Sequence, residues 1–198
     1  MTENNGELES KTEKKSLIPN SSSLIISLPP RNDNEAEVFL SHDFQPGEIN
    51  FDGQIFDFQT GLHSEVIARW LEESLLSVEI SVSGAAQASC ARCLKDTSLE
   101  ISGDLRYLYY LRSASGDDGI IEEFADYMPV EIEYFGRVLD VMPQVEESIF
   151  SLLPTKVLCS EDCKGLCPNC GKNLNEGECN CQNEMTDPRL DALRGFKI

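Results

Sequence analysis

The cysteines are the residues of this sequence best suited to chemistry, because thiolates bind metals and take part in redox reactions. Six of the eight lie in "CSEDCKGLCPNCGKNLNEGECNC", and the other two form "CARC" further upstream. Two C-x-x-C pairs and four more cysteines make two complete sets of four, the ligand number of a closed structural zinc site. The sequence therefore predicts two structural Zn²⁺ ions, and their ligands are Cys90, Cys93, Cys159, Cys163, Cys167, Cys170, Cys179 and Cys181.

The spacing leaves open which cysteines share a metal. The favoured grouping has one local site and one site that cross-links distant segments. The local site contains Cys167, Cys170, Cys179 and Cys181, and the cross-link contains Cys90, Cys93, Cys159 and Cys163. One alternative places both C-x-x-C pairs on the same metal, as in zinc ribbons, and another has a single zinc with four spare thiols.

The stretch "CPNCG" is typical of a zinc knuckle, a tight turn that points two thiolates and several backbone N–H groups at one metal. Pro168 starts this turn, and Gly171 tolerates a positive φ. Basic residues also surround the thiols in an otherwise acidic chain, where they would offset the charge of the thiolates. They are weak candidates for contact with RNA or a partner protein: Arg92, Lys95, Lys164 and Lys172.

Catalytic and redox interpretations find less support in the sequence. A catalytic zinc keeps an open position and usually has His or carboxylate ligands. The stretch "HSE" at His63 to Glu65 matches half of a zinc-deaminase signature, but "LCPNC" does not match the other half. Phosphate-binding glycine loops and Ser, Cys or His triads are absent from the sequence. We therefore expect no enzymatic activity and no small-molecule substrate.

Composition and charge restrict the class of protein further. The chain has 198 residues, 40% of them hydrophobic, and a formal net charge of -19. No apolar run is long enough to cross a membrane, and the N-terminal residues resemble no targeting signal. We expect a cytoplasmic protein whose cysteines bind metal and form no disulfides. The negative charge repels phosphate backbones and favours a basic protein partner.

Alternating apolar and polar residues predict several short strands. Gly53 lies at a turn between two of them, and Gly84 is expected to end one arm of a hairpin whose other arm leads to Cys90. Residues 66–71 fit either a helix or a strand. The predicted strands contain "LIIS", "INF", "QIFDF", "VEISV", "SLEISGDLRYLYYL" and "MPVEI".

One segment has the pattern of an amphipathic helix, near residues 140–153. Asp140 is its expected N-cap, and Pro143 falls in the first turn, where a missing N–H is tolerated. Pro154 ends it. The apolar face consists of Val141, Val145, Ile149 and Leu152. A second, short helix is expected to begin after Asp187.

These elements predict an α+β fold, with an antiparallel, strand-rich domain, one packed helix and a zinc-bound cysteine module at the C-terminal end. We expect a disordered tail at 1–22, the strand-rich domain at 23–156 and the cysteine module with its C-terminal helix at 157–198. The module has too few apolar residues to fold by burial alone, so a metal is expected to hold it together.

The order of four motifs resembles the YceD-like family of large ribosomal RNA subunit accumulation proteins. These motifs are "CARCL", "LDVMPQVEESIFSLLP", "CKGLCPNCGKNLNEGECNC" and "DPRLDAL". The resemblance implies a cytoplasmic accessory protein that is needed for normal levels of large-subunit ribosomal RNA, with no attributed catalytic activity. It also implies that the second zinc site is optional, because some members lack most of the C-terminal cysteines.

We therefore expect a non-enzymatic ribosome-biogenesis factor. Its partner would be a ribosomal or ribosome-assembly protein, expected to be basic because this chain is acidic. Two other classes of function remain open from the sequence. One is a zinc protein that binds ribosomal RNA directly, and the other is a zinc-dependent hydrolase that uses His63 and Glu65.

Overall fold

The computed structural model describes residues 18, 23–31, 33, 35–111 and 124–181. Half of this structure is strand, a tenth is helical, and no helix within it is long and apolar enough to cross a membrane. The strands are β1 (Ile25–Ser27), β2 (Glu37–Phe44), β3 (Gly47–Phe51), β4 (Gln54–Phe58), β5 (Leu62–Glu72), β6 (Leu75–Ser89), β7 (Asp96–Leu111), β8 (Met128–Ile132) and β9 (Val138–Asp140). The helix α1 spans Met142–Leu152, and a short 3-10 helix spans Leu174–Glu176.

Seven strands form one sheet around β6, the longest strand but one. One side of β6 pairs with β5 and then, at Gln87, with β4. The other side pairs with β7 along its whole length, and both β5 and β7 are antiparallel to β6. Strand β8 pairs with β7 in parallel, and β1 forms a separate antiparallel pair with β9.

Strand β5 shows why the sheet forms where the sequence was ambiguous. Every second side chain from Leu62 to Trp70 is buried, so the strand has one face in the core. Ser64 and Ala68 occupy two of these buried positions. A small polar residue and an alanine weaken the apolar signal of period two, and this left residues 66–71 open to a helical interpretation.

The helix α1 packs on the sheet through its apolar side, where Val145 and Ile149 are fully buried. Its polar atoms are also joined to the sheet, since the Tyr107 hydroxyl donates to the Gln144 carbonyl at 3.1 Å. The N-cap position is Val141, one residue after the expected Asp140. Asp140 nevertheless accepts hydrogen bonds from two backbone N–H groups, which belong to Leu24 and Met142.

The expected α+β class is wrong, because the fold is mostly β. Among the described residues, a single α-helix of 11 residues lies against sheets that contain half of the structure. The expected turn at Gly84 is also wrong, since β6 continues through it and pairs with Leu62 on one side and Ile101 on the other. A Cβ atom at Gly84 would lie 2.5 Å from the Leu62 Cδ2 atom, so a larger residue there would require the Leu62 side chain to shift.

Two expectations concern segments outside the described structure. One is the disordered tail at 1–22, of which Ile18 alone is described, as a buried residue of the core. The other is the helix expected after Asp187.

Candidate metal centre

The first group of thiols lies at the end of the longest hairpin. Strands β6 and β7 are joined by residues 90–95, and this turn carries Cys90 and Cys93. The polypeptide after α1 returns to the same turn and brings Cys159 and Cys163 beside them. We call these four residues the inner tetrad. Three of its thiols are buried, and Cys159 is half-buried.

We call the segment after α1, residues 157–181, the C-terminal tail, or simply the tail from here on. The second group lies entirely within it and contains Cys167, Cys170, Cys179 and Cys181. We call these four residues the outer tetrad. Cys167 is the one buried residue between positions 167 and 181. The segment therefore has almost no apolar core of its own, as the sequence indicated.

The two C-x-x-C turns share one backbone geometry. In the inner turn the Cys90 N–H donates to the Lys95 carbonyl at 2.9 Å, and the Leu94 N–H donates to the Cys90 carbonyl at 2.9 Å. In the outer turn the corresponding bonds run from Cys167 to Lys172 at 2.8 Å and from Gly171 to Cys167 at 2.9 Å. Both turns therefore have the backbone geometry of a metal-binding knuckle, and "CARCL" has it although Leu94 takes the position that Gly171 has in the other turn.

The sulfur positions fit a tetrahedral metal. Within each tetrad all four Sγ atoms lie within 4.8 Å of one another. In the inner tetrad, the Sγ atoms of Cys90 and Cys163 are 3.8 Å apart, and those of Cys93 and Cys159 are 3.6 Å apart. A tetrahedron with metal–sulfur bonds of about 2.3 Å has sulfur–sulfur edges of about 3.8 Å. A disulfide would need about 2.05 Å, so both tetrads can hold a metal ion.

Backbone and arginine contacts join the tail to the hairpin around the inner tetrad. The Ala91 N–H donates to the Val157 carbonyl at 2.8 Å, and the Leu166 N–H donates to the Arg92 carbonyl at 3.1 Å. The Arg92 guanidinium reaches the carbonyls of Glu161 at 3.1 Å and Cys163 at 2.8 Å. The inner tetrad thus closes a junction that hydrogen bonds already form.

Asn175, which lies between Cys170 and Cys179 in the sequence, contacts the inner tetrad, and the sequence analysis missed it. Its Nδ2 donates to the Cys163 Sγ at 3.3 Å, and its Oδ1 accepts from the Lys164 N–H at 2.8 Å. The hydrogen bond from Asn175 is the largest cause of the lowered pKa of Cys163. Asn173 holds Asn175 in place by accepting from its backbone N–H at 3.0 Å. The spacing N-x-N between cysteines was the signal available for this turn.

Each knuckle favours ionisation of its first thiol. Burial works against ionisation of Cys90, but N–H groups such as that of Arg92 outweigh it and lower its pKa to about 6. Backbone N–H groups of Cys170 and Asn169 lower the pKa of Cys167 to about 6 as well. Oriented N–H dipoles therefore prepare one thiolate ligand in each tetrad.

Other thiols, among them Cys93 and Cys181, resist ionisation because they are buried beside neighbouring thiols. The Lys95 N–H favours the thiolate of Cys93, yet burial and the neighbouring thiols raise its pKa to about 12. A hydrogen bond with Cys170, together with burial, raises the pKa of Cys181 to about 12. Four thiolates within 4.8 Å need a cation to neutralise their repulsion.

The four basic candidates have different environments. Arg92 and Lys172 donate to carbonyls of their own chain, the latter to Glu178 at 2.7 Å. The side chains of Lys95 and Lys164 are exposed beside the tetrads. The structure thus places all four near the thiols, and two of them stabilise the tail.

His63 belongs to neither tetrad. It lies on β5, where its Nδ1 is 2.6 Å from Asp43 Oδ1 and its Nε2 is 3.5 Å from Glu65 Oε1. These contacts raise its pKa, the largest cause being the hydrogen bond with Asp43. Among the described residues, His63 and Glu65 therefore do not join the cysteines in a shared metal site, as a zinc deaminase would require.

The fold and the site define a mostly-β protein in which one cysteine tetrad lies where the segment after α1 meets a long hairpin, and a second tetrad lies within that segment. Comparison with known families identifies the family to which this sequence belongs. The sequence profile of "Large ribosomal RNA subunit accumulation protein YceD" matches residues 78–197, which is more than half of the chain and includes all eight cysteines. The chain belongs to the YceD family.

Individual proteins are similar to this chain over a longer stretch than the family profile covers. Uncharacterized proteins of Mycobacterium bovis and Mycobacterium tuberculosis are each 27% identical to this chain over 162 residues. The alignment covers 79% of this chain and 72% of each relative. No solved structure matches the chain significantly.

Proposed function

We propose that the chain is a non-catalytic accessory factor of ribosome assembly in the cytoplasm. It supports the accumulation of large-subunit ribosomal RNA through contacts with another protein. The observation that carries this proposal is membership of a family described by that accumulation. The closed thiolate tetrads add support, because four protein ligands leave no open metal position for a substrate.

The metal in both tetrads is proposed to be Zn²⁺ with a structural role. Tetrahedral sites of four sulfur ligands select zinc or iron, and zinc is the usual choice where a site only cross-links the chain. The inner ion would join the tail to the β6–β7 hairpin, and the outer ion would fold a segment in which Cys167 alone is buried. Zinc removal should therefore release the tail and leave the sheet folded.

The proposed partner is a basic ribosomal or ribosome-assembly protein. The formal charge of -19 becomes -19 - 8 + 4 = -23 when eight thiolates bind two Zn²⁺ ions. A surface with this charge attracts basic proteins and repels an extended phosphate backbone. Contact with RNA through Arg92 and Lys172 has less support, because both side chains donate to carbonyls of their own chain.

Two measurements test this function. The first is the ratio of large-subunit to small-subunit ribosomal RNA in cells that lack the protein, with and without a plasmid-borne copy. We expect the ratio to fall and the plasmid to restore it. The second is cross-linking mass spectrometry of the native protein in lysate, which should identify a basic ribosomal or assembly protein. An unchanged ratio of the two RNAs would refute the proposed function, and cross-links to no such protein would refute the proposed mode of action.

A further inference from the structure

A cavity of about 530 Å³ lies away from the tetrads, where the residues after β1, the end of β5 and the residues before β9 meet. Its lining includes Leu28, Pro29, Arg31, Trp70, Arg137 and Val138. Among the residues that the structure describes, no acidic residue lines this cavity. We call it the Arg31–Arg137 cavity. Its described lining therefore offers an anion two arginines and no carboxylate.

The Arg31 guanidinium lies close to two aromatic rings. Its Cζ atom lies 4.9 Å from the centroid of the Trp70 ring and 5.5 Å from that of Phe135. The two rings contact each other edge to face at 4.7 Å, and the Trp70 indole donates to the Pro29 carbonyl at 2.9 Å. Arg31 itself is exposed. A guanidinium plane backed by fixed rings can stack a further planar group on its outer side.

Neither arginine is neutralised by a carboxylate within the described structure. The arginine ion pairs found there are Arg69 with Glu37 at 3.5 Å and Arg106 with Glu79 at 3.8 Å. The backbone of Arg137 is fixed because its carbonyl accepts from the Leu28 N–H at 3.0 Å. Within the described structure, no carboxylate therefore competes with an anionic ligand for the donors of these two guanidinium groups.

We propose that the Arg31–Arg137 cavity binds one nucleotide of single-stranded RNA, with the base stacked on Arg31 and a phosphate bound by Arg137. The volume lies in the range of about 300–1,000 Å³ that small-molecule sites occupy, so a base and its phosphate have room. Nucleobases stack on guanidinium planes, and phosphates pair with arginine forks. An acidic peptide would pair with Arg137 but would leave the flat face of Arg31 unused.

The strong negative charge of the protein limits this contact to a short stretch of RNA. A longer strand would meet the acidic surface beyond the cavity, so lengthening the RNA adds little affinity. Binding should weaken as salt rises, because a bound phosphate displaces counterions. The identity of the bound RNA as large-subunit ribosomal RNA rests on the proposed function. The proposal that the cavity binds a nucleotide does not rest on it, because it is argued from the lining residues alone.

The test is a titration of the zinc-loaded, full-length protein with a six-nucleotide oligouridylate at low salt. Trp70 is the chain's single tryptophan and lines the cavity, so its fluorescence reports on binding there. We expect Arg137→Gln to weaken binding about tenfold, as expected for loss of a hydrogen bond to a charged group. Arg31→Gln should weaken binding about as much, because it removes the plane on which the base stacks. Arg106→Gln makes the same change in charge outside the cavity and should bind as the wild type does.

Arg31→Lys separates stacking from charge, because lysine keeps the charge and loses the plane. We expect it to bind about as poorly as Arg31→Gln, and thermal melting checks that each variant is folded. The proposal is overturned if the oligonucleotide does not bind, or if both cavity variants bind like Arg106→Gln. It is also overturned if hexaglutamate competes as well as the RNA does. These results are independent of the ribosomal RNA ratio in cells, so the cavity and the proposed function can fail separately.

Discussion

At the scale of single residues, the tetrads depend on donors that point at sulfur. Asn175 is the clearest case, since its amide reaches the Cys163 thiol from the outer loop. The Arg92 N–H, 3.5 Å from the Cys90 Sγ, contributes in the same way from within the inner knuckle. Such contacts orient a thiolate and stabilise its charge, so they tune metal affinity without binding the metal themselves.

We expect Asn175→Ala to weaken zinc binding at the inner tetrad by about tenfold, the lower end of the range for residues that support a ligand. Competition with a chromophoric chelator measures this affinity. The control is Asn50→Ala, which removes a comparable amide contact with the Gly53 N–H in the β3–β4 turn. Equal zinc affinity in the two variants would show that the bond to sulfur has no role.

Each knuckle has one residue with left-handed backbone, but the residue type differs. Leu94 has φ 58° and Gly171 has φ 71°, and both are exposed. Left-handed backbone costs a non-glycine residue about 1–2 kcal/mol, while glycine gains unfolded-state entropy worth about 0.4–1 kcal/mol. Leu94→Gly should therefore raise the free energy of unfolding by up to about 1.6 kcal/mol. Gly171→Ala should lower it by a similar amount, and chemical denaturation of the zinc-loaded protein measures both. A less stable Leu94→Gly variant would show that the Leu94 side chain makes contacts worth more than the strain.

The His63 contact with Asp43 predicts a pH dependence of stability. Its pKa is raised from 6.5 in the folded state, so the protonated form stabilises the fold. This contribution is complete below pH 6.5 and is lost as the pH rises through the folded pKa. Because the pair is exposed, its size should be under about 1 kcal/mol. Urea unfolding between pH 5.5 and 8 should show this decline in the wild type and a flatter profile in His63→Gln. Identical profiles would contradict it.

At the scale of elements, β5 has a buried side of five residues, and Ser64 is the polar one. Its Oγ is buried and has no hydrogen-bond partner among the described residues. A buried serine elsewhere makes an instructive contrast. Ser148 on α1 donates to the Gln144 carbonyl at 2.7 Å, so its hydroxyl is satisfied.

We expect Ser64→Ala to stabilise the protein by about 1 kcal/mol, because it removes a buried hydroxyl without breaking a bond. Ser148→Ala should destabilise by about 1 kcal/mol, because it breaks its bonds with α1 and with Tyr107. Chemical denaturation of the pair measures both signs. Destabilisation by Ser64→Ala would mean that the hydroxyl has an unseen partner, such as a buried water.

The elements also show how far the sequence predicts the fold. The β3–β4 hairpin, α1 and the metal-binding character of the cysteines follow from local patterns, because turns, helix faces and ligand counts are local properties. Local patterns do not predict strand β5 or the continuity of β6 through Gly84, because pairing with neighbouring strands decides both. The contact from Asn175 to Cys163 and the Arg31–Arg137 cavity join residues from separate loops, and no single stretch of sequence carries that information.

At the scale of the whole molecule, the protein combines a large sheet with a C-terminal tail that has few buried side chains of its own. The sheet has its own core, in which Phe56, Tyr107 and Ile149 are shielded from solvent. The tail has a few hydrogen bonds to the β6–β7 turn and two tetrads. Metal binding can supply about 10–16 kcal/mol to small zinc modules, so it can order the tail where apolar burial cannot.

The measurement that tests this view most directly is native mass spectrometry of the wild type and of Cys181→Ser. We expect two zinc ions in the wild type, one for each tetrad, and one in the variant. Far-UV circular dichroism should show that the variant keeps its sheet, because Cys181 belongs to the local outer tetrad. A wild type with a single zinc, or a variant that loses both, would contradict two independent structural metal sites.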